Sequence, residues 1–259
     1  MKPQHAIFGF HAVLARLRAD PVSVGEIFLD ESRHDARSRD VAAAAERAGV
    51  TLHRVPTKRL DGFYGGGRHQ GVVALVRAKA PRAGLEDLLD GLAEPPLLLV
   101  LDGITDPHNL GACLRVADGA GVHAVIVPRD RSAGLGATVA KVASGAAESV
   151  PLFAVTNLAR QLAELKERNI WVVGTDDAAE RSLYDADLPG PIAWVLGSEG
   201  EGMRRLTREA CDLLVRIPMH GAVSSLNVSV AAALCVFESR RRRLAARAGG
   251  GGLAPSSSR

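Results

Sequence analysis

One stretch joins an apolar strand, a polar loop and an apolar helix: Ile217-Pro-Met-His-Gly-Ala-Val-Ser-Ser-Leu-Asn-Val-Ser-Val-Ala-Ala-Ala233. An apolar, strand-like run ends at its first residue, a loop containing glycine follows, and an apolar helix begins within a few residues. Ser224 or Ser225 is expected to cap that helix, which places Asn227 in its first turn near exposed backbone N–H groups. By itself the stretch is a capped helix, but it holds more small polar groups than capping requires.

The same order of strand, loop and helix recurs upstream of this stretch. Strand-like apolar runs occur at Leu97–Leu101, His123–Val127, Leu152–Val155, Trp171–Gly174, Ile192–Leu196 and Leu213–Ile217. Helical patterns occur at Leu110–Ala120, Ala137–Ala146, Leu158–Arg168, Met203–Ala210 and Leu226–Arg243. Because strands that are apolar along their whole length need cover on both faces, we predict an α/β fold with a parallel sheet between helices.

The composition is that of a globular chain, since 47% of its 259 residues are hydrophobic and 24% are charged. Cys113, Cys211 and Cys235 are far apart, with neither a CxxC pair nor a nearby His pair, so we expect no disulfide framework and no metal site. The segment Met1–Asp20 is interrupted by His and Arg and predicts an amphipathic helix, not a signal peptide. With no run of about 18 apolar residues, we expect a cytoplasmic protein without a membrane span.

Changes in composition divide the chain into four parts. Residues 1–78 alternate short strands and helices, 79–96 form a linker, 97–247 carry the parallel sheet, and 248–259 are rich in Gly, Ser and Pro and expected to be disordered. Residues 1–79 hold 13 Lys and Arg against 8 Asp and Glu, a net charge of +5, whereas the rest of the chain sums to −2. A basic front part is compatible with a polyanionic partner, although charge alone equally fits a solvated face.

A glycine-rich loop, Gly197-Ser-Glu-Gly-Glu-Gly202, lies between a strand and a helix. Loops of this kind bind dinucleotides in Rossmann folds, but the spacing here is GxxGxG and not GxGxxG, which weakens that interpretation. The loop does permit close backbone approach to a flat ligand. It also places the carboxylate of Glu199 after a strand, at the sheet edge where ligands bind in open α/β folds.

A third polar segment, Asp102–Arg115, follows the first strand of the predicted sheet. Asn109 is a suitable N-cap for the helix that begins there. Arg115 projects from a helix that is otherwise mostly apolar. Such an arginine usually requires an anionic partner or a pocket, although an ordinary surface arginine also fits the pattern.

Together these segments resemble the three motifs of the SpoU (TrmH) family of RNA 2′-O-methyltransferases. The matching patterns are NxGxxxR from residue 109, LGSEGEGM from residue 196 and IPMxGxVxSLNVSVAxA from residue 217. Residues 7–13 and 68–74 are similar to the family's small L30e-like substrate-binding domain. The resemblance extends from residue 4 to about residue 245, and is nearest to members that methylate a guanosine ribose in 23S rRNA.

The resemblance implies an α/β fold of two domains. The N-terminal one is a small L30e-like α/β domain that binds the RNA substrate. The C-terminal one is a trefoil-knotted (SPOUT) parallel-sheet domain, and general folding rules alone would never suggest the knot. The implied cofactor is S-adenosylmethionine, and the backbone that cradles it matches Gly197, Ile217 and Leu226.

The family's motif positions also imply a set of catalytic residues, which are Arg115, Asn109, Glu199, Ser225 and Asn227. Arg115 matches the family's proposed base. Since an arginine rarely gives up its proton, stabilising a developing alkoxide or clamping a phosphate are alternatives for it. Glu199 is expected to orient Arg115, and the two asparagines to orient the ribose or the loops.

The implied partners are 23S ribosomal RNA and a second copy of the chain, which pairs through the C-terminal domain. The apolar stretch Val228–Phe237 is broad enough to face both a sheet and a partner helix. The run Arg240–Arg243 either contacts RNA phosphate or ends its helix favourably, and we prefer the second role. Two alternatives stay open: the same chemistry on tRNA or another rRNA nucleotide, and a non-catalytic RNA-binding assembly factor, against which the intact motifs argue.

Overall fold

The computed structural model describes residues 4–63, 69–77, 84–130, 132–134, 136–143, 145–188 and 190–249. The chain forms two compact units. The first unit comprises residues 1–84 together with 143–149, and the second comprises residues 85–142 and 150–259.

Eleven strands and ten α-helices are found in the described residues. Up to residue 77 these are β1 (Gln4–Phe8), α1 (Phe10–Ala19), β2 (Val24–Asp30), α2 (Ala36–Arg47), β3 (Thr51–Val55), α3 (Thr57–Asp61) and β4 (Val72–Arg77). The elements that follow are α4 (Leu85–Asp90), β5 (Leu97–Asp102), α5 (Pro107–Ala120), β6 (Ala124–Pro128), α6 (Ala137–Val142), α7 (Ala146–Ser149), β7 (Leu152–Val155), α8 (Leu158–Glu167), β8 (Trp171–Thr175), β9 (Arg181–Ser182), β10 (Ile192–Gly197), α9 (Arg205–Glu209), β11 (Leu213–Arg216) and α10 (Val228–Gly249).

The first unit is a four-stranded sheet in the order β1-β4-β2-β3 with helices packed on it. Apolar residues of α1 and α2 form one core with the sheet, among them Val13 and Val41. Arg16 of α1 is also buried, and its guanidinium is fully engaged: it donates to the Ser23 hydroxyl at 2.6 Å and forms an ion pair with Glu148 at 2.8 Å. The third guanidinium nitrogen donates to the carbonyl of Arg77, so each nitrogen has an acceptor and the buried charge is tolerated.

The second unit is a seven-stranded sheet in the order β7-β6-β5-β10-β8-β11-β9, and every pair in it is parallel. The central strands β5 and β10 are buried nearly throughout, as expected for strands covered on both faces. The indole of Trp194 on β10 is fully buried and donates to the Ser239 hydroxyl of α10 at 2.8 Å. The predicted parallel sheet between helices is therefore confirmed.

Several element boundaries differ from the sequence prediction. The single helix expected at 137–146 is two short helices, α6 and α7, because Gly145 lies between them with a φ of 95° that helical residues do not adopt. The last helix continues to Gly249, six residues past its predicted end. Part of the predicted linker, 84–96, contains α4, while residues 78–83, Arg68 and the predicted tail from residue 250 lie outside the described residues.

The arginine run of α10 bonds within the second unit and does not end the helix. Arg243 donates to the carbonyls of Pro95, Pro96 and Gly190, and Arg242 to the carbonyl of Ala186 at 2.6 Å. The run therefore binds the C-terminal half of α10 to loops of its own unit.

Within the same helix, Glu238 is buried and accepts from Arg241 at 2.8 Å and from Arg242 at 2.7 Å. These bonds, with that of Arg241 the strongest, lower the pKa of the Glu238 carboxyl from 4.5 to about 2. Because the folded pKa lies below the unfolded one, the stabilisation is complete above pH 4.5 and is lost as the pH falls toward 2.

Glu238→Gln is therefore expected to lower the free energy of unfolding at pH 7 by about 2 kcal/mol. The difference from the wild type should shrink between about pH 5 and pH 3. Urea unfolding at several pH values measures this, and Glu164→Gln, at an exposed pair with Arg160 on α8, is the control. A deficit that stays constant down to pH 3 would argue against the ion pairs as its source.

The remaining expectations concern membranes, metals and cysteines. Among the described residues, no helix is both long and apolar enough to cross a membrane, and no group of three His, Cys, Asp or Glu side chains is placed to hold a metal ion. The three cysteines are free thiols. Burial raises the pKa of Cys113 and of Cys211 to about 12, which makes both thiols poor nucleophiles at neutral pH.

Candidate active site

The three polar segments singled out in the sequence follow the strands β5, β10 and β11 and lie at one edge of the second unit's sheet. Strand β5 ends at Asp102 and β10 ends at Gly197, and these two residues are partners in the parallel pairing. Strand β11, which ends at Arg216, lies two places from β10 with β8 between them. Because parallel strands all end at the same edge, the loops that follow them meet there.

The loop after β10 folds back tightly on its own strand. A backbone bridge joins Ser198 and Gly202, with N···O distances of 3.1 and 2.9 Å. A Cβ atom at Gly197 would lie 2.0 Å from the carbonyl carbon of Gly202, so only glycine fits there. Gly200 and Gly202 both have positive φ, and nothing lies within 4 Å of the place where their Cβ atoms would be. The loop thus leaves open space above its backbone.

One carboxylate oxygen joins all three segments. The Glu199 Oε1 accepts from the Asn109 amide at 3.3 Å, from the Asn227 amide at 2.7 Å and from the backbone N–H of Val228 at 3.2 Å. The Asn227 amide also donates to Asn109 Oδ1 at 2.9 Å. Bonds to an ionised carboxylate are stronger than neutral ones, so Glu199 is the centre of this junction.

The helix caps differ from those predicted. Asn227 itself caps α10, since its Oδ1 accepts from the backbone N–H of Ser229 at 2.9 Å, and neither Ser224 nor Ser225 does so. Asp106 caps α5 by accepting from the N–H of His108, so the prediction of Asn109 as the cap was wrong. Asn109 lies one turn further along, where its amide is free to reach Glu199.

A cleft of about 430 Å³ opens beside the loop, which is a size typical of small-molecule sites. The residues proposed to cradle a cofactor, Gly197, Ile217 and Leu226, all line it, as do Glu199 and Ser225. Its full lining is Thr175, Asp176, Asp177, Leu196, Gly197, Ser198, Glu199, Gly200, Glu201, Gly202, Met203, Arg208, Ile217, Met219, Ser224, Ser225, Leu226, Val228 and Ala231.

Arg115 is the site residue that the structure places apart from the others. It is exposed on α5 and does not line the cleft. Within the described parts of the chain it has no hydrogen bond to Glu199, so the orientation of Arg115 by Glu199 stays a prediction. Asn109 and Asn227 do not line the cleft either, but both bond to Glu199, which does.

Sequence reasoning missed one wall of the cleft, formed by Thr175, Asp176 and Asp177 at the end of β8. Burial alone would raise the pKa of Asp176, but hydrogen bonds from Arg208 and from the N–H of Ala178 hold it below its usual value. The available signal was a polar triplet directly after a buried strand of the parallel sheet. Because the predicted strand ended at Gly174, one residue early, the sequence did not mark this triplet as lying at the sheet edge.

The lining fits the adenosyl cofactor implied by the motifs. Leu196, Met203, Ile217, Met219 and Leu226 offer apolar surface for a flat ring, and the open backbone of the glycine loop leaves room for it. The charged side chains of the lining are four carboxylates and one arginine, a balance that favours a ligand carrying a positive charge such as a sulfonium.

Family models account for most of the chain. The SpoU rRNA Methylase family matches residues 96–237, and the model described as RNA 2′-O ribose methyltransferase substrate binding matches residues 6–82. The chain belongs to the SpoU rRNA methylase family. The resemblance to this family, which the three polar segments indicated, is therefore confirmed.

SpoU relatives match along nearly their whole length. The chain is 60% identical over 243 residues to the 23S rRNA (guanosine-2′-O-)-methyltransferase RlmB of Ralstonia nicotianae. The alignment covers 94% of this chain and 98% of that protein. It is 56% identical over 244 residues to the protein of the same name from Neisseria meningitidis serogroup B, with coverages of 94% and 98%.

Solved SpoU structures share the fold. A crystal structure of an RNA 2′-O ribose methyltransferase matches with a TM-score of 0.74 at 30% identity, covering 94% of this chain and 90% of that one. The SpoU methyltransferase AviRb from Streptomyces viridochromogenes, in complex with AdoMet, matches with a TM-score of 0.70 at 24% identity, covering 93% and 91%. The predicted fold class, an N-terminal substrate-binding domain followed by a parallel-sheet α/β domain, is confirmed.

Proposed function

We propose that this protein transfers a methyl group from S-adenosylmethionine to the ribose 2′-hydroxyl of a specific guanosine in 23S rRNA. The observation that carries the proposal is the junction at Glu199, which joins all three SpoU motifs beside a cleft that suits the cofactor. The identity with methyltransferases of this specificity, 56–60% along most of the chain, supports the choice of substrate. Ribosomal RNA is found in the cytoplasm, where we propose the protein acts.

The cofactor supplies an electrophilic methyl group when it is bound. We assign its binding to the backbone around Gly197, Ile217 and Leu226, which line the cleft from the loops after β10 and β11. With the cofactor bound, its methyl group would pass from the sulfur to the ribose 2′-oxygen, and the hydroxyl proton would pass to water. The protein accelerates this step chiefly by aligning the two reactants and by stabilising charge on the oxygen.

Arg115 is assigned to the RNA side of this reaction. Its guanidinium is exposed, and among the described residues it has no hydrogen-bond or ion-pair partner, so it is available to a phosphate or to the developing alkoxide. Glu199, Asn109 and Asn227 hold the motif loops together, and Ser225 lines the cleft beside them.

The test is incubation of the protein with labelled S-adenosylmethionine and unmodified 23S rRNA, followed by primer extension to map the 2′-O-methyl position. A single modified guanosine is expected. If the label is found on tRNA or at another rRNA nucleotide, the proposed reaction stands but the proposed substrate is wrong. Calorimetry that detects no binding of S-adenosylmethionine would favour the assembly factor, which has no need of the cofactor.

We also propose that the protein is a homodimer through its second unit. Val230, Phe237 and Leu244 of α10 are 47%, 48% and 56% exposed. Their spacing of seven residues places them on one face of the helix, which gives an apolar stripe suited to a partner helix.

Sedimentation is expected to give a dimer at micromolar concentration for the wild type, and a monomer for Phe237→Glu, because a buried unpaired carboxylate is costly. Val22→Glu, at a residue of the first unit that is 82% exposed, serves as the control and should remain dimeric. A monomeric wild type would contradict the proposal.

A further inference from the structure

We propose that two aspartate–arginine pairs, Asp102–Arg204 and Asp176–Arg208, act as positioning residues that hold the loop at 197–203 in the shape that binds the cofactor. The inference rests on the proposed function, since it takes this loop as part of the cofactor site. Neither pair belongs to the motif residues assigned above.

The sheet order places the two aspartates on opposite sides of the loop. Strand β10, from which the loop emerges, lies between β5 and β8. Asp102 is the last residue of β5 and Asp176 directly follows β8, so both carboxylates lie at the edge where the loop begins.

The first pair is the more buried. The Asp102 side chain is fully buried, and its two oxygens accept from the backbone N–H of Arg204 at 2.9 Å and from the Arg204 Nε at 2.7 Å. A second guanidinium nitrogen, Nη2, lies 2.6 Å from Oδ1, the oxygen that also accepts from Nε. Because the backbone N–H takes one carboxylate oxygen and the guanidinium the other, Asp102 restrains both the backbone and the side chain of Arg204. Because Arg204 directly follows Met203, the contact fixes the exit of the loop against β5.

The second pair acts one helical turn later. Arg208 donates its Nε to Asp176 at 2.5 Å, and the other oxygen of Asp176 accepts from the N–H of Ala178 at 2.9 Å. Arg204 directly precedes α9 and Arg208 lies near its end, yet they bond to aspartates at the ends of strands on opposite sides of β10. The short helix is therefore held at both ends, by Asp102 on one side of β10 and by Asp176 on the other.

Helix α9 needs such anchors. It has only five residues and no side-chain cap at its N-terminus, and a helix of that length is unstable by itself. The loop before it contains Gly200 and Gly202, which give the backbone extra freedom in the absence of restraints. Without the two pairs, the loop would be held by the bridge between Ser198 and Gly202 and by the bonds of Glu199 to Asn109 and Asn227, and its end at Met203 would have no anchor to either neighbouring strand.

The experiment compares Arg204→Ala and Arg208→Ala with Arg205→Ala. Arg205 lies on the same helix and forms an exposed pair with Glu209 at 2.7 Å that contacts neither strand, which makes it a matched control. Amide hydrogen exchange at residues 198–203 is measured on the protein without ligand, and the Kd for S-adenosylmethionine is measured by calorimetry.

Arg204→Ala and Arg208→Ala are each expected to speed exchange in the loop and to raise the Kd about tenfold or more, as expected for the loss of a charged hydrogen bond. Arg205→Ala should change neither value. Arg204→Lys retains the charge and the backbone donor, so it should show a smaller increase, and it provides the comparison when the alanine variant does not fold.

Exchange and Kd in Arg204→Ala and Arg208→Ala equal to those of Arg205→Ala would overturn the proposal. Failure of the proposed function is distinguishable, because the wild type would then bind no S-adenosylmethionine, while the exchange measurements without ligand would still test whether the pairs hold the loop.

Discussion

Arg115→Ala is expected to reduce methyl transfer to RNA by about 100- to 1000-fold, the effect of removing one donor that stabilises developing negative charge. The Kd for S-adenosylmethionine should stay within about twofold, because Arg115 does not line the cleft. Its exposure on α5 likewise predicts little change in the free energy of unfolding. Single-turnover experiments on 23S rRNA measure the rate of methyl transfer, and calorimetry measures the Kd separately.

Arg115→Lys refines the same test. A lysine keeps the positive charge but loses the planar, two-pronged contact with phosphate or alkoxide. Partial activity would indicate electrostatic stabilisation, and activity as low as that of the alanine variant would indicate a need for the guanidinium geometry. Arg160→Ala, at an exposed arginine of α8, is the control for loss of surface charge. Normal turnover in Arg115→Ala would remove this residue from the mechanism.

Glu199→Gln is expected to lower the rate of methyl transfer by about 10- to 100-fold. The substitution keeps the size of the side chain but removes the charge that strengthens its bonds to Asn109, Asn227 and the Val228 N–H. Since these bonds join the three motifs, their weakening should also raise the Kd for S-adenosylmethionine. Rate and Kd are measured as for Arg115.

Glu201→Gln is the matched control for this second prediction. Glu201 lines the same cleft two residues further along, and among the described residues it makes no hydrogen bond to the other motifs. The same loss of charge there should have a much smaller effect. Equal losses in the two variants would mean that the overall charge of the cleft matters and the junction at Glu199 does not.

The sequence predicted the parts of this site that depend on local pattern. Hydrophobic periodicity predicts where the strands end. The residue patterns of the motifs predict the glycine positions and the polar segments after β5, β10 and β11. The bonds of Glu199 to Asn109 and Asn227 were not predicted, because they depend on which strand ends are neighbours. Strand β10 lies beside β5 although four strands come between them along the chain, and no local pattern encodes that order.

The same reason explains the features that were missed. Thr175–Asp177 became a wall of the cleft because β8 pairs with β10, and Asp102 became a contact of Arg204 because β5 pairs with β10 on its other side. Helix caps were mistaken by two or three residues, since several polar side chains near each helix start compete for the same backbone donors. The trefoil knot stays a prediction of the family resemblance.

The junction at Glu199 also has a consequence for biosynthesis. It joins Asn109 to Asn227, 118 residues later, so a nascent chain has no complete cofactor pocket until nearly all of the second unit has left the ribosome. Unfinished chains should therefore not capture the methyl donor. Contacts this distant in sequence also slow folding, and a ligand that binds only the finished pocket then favours the chains that have reached it.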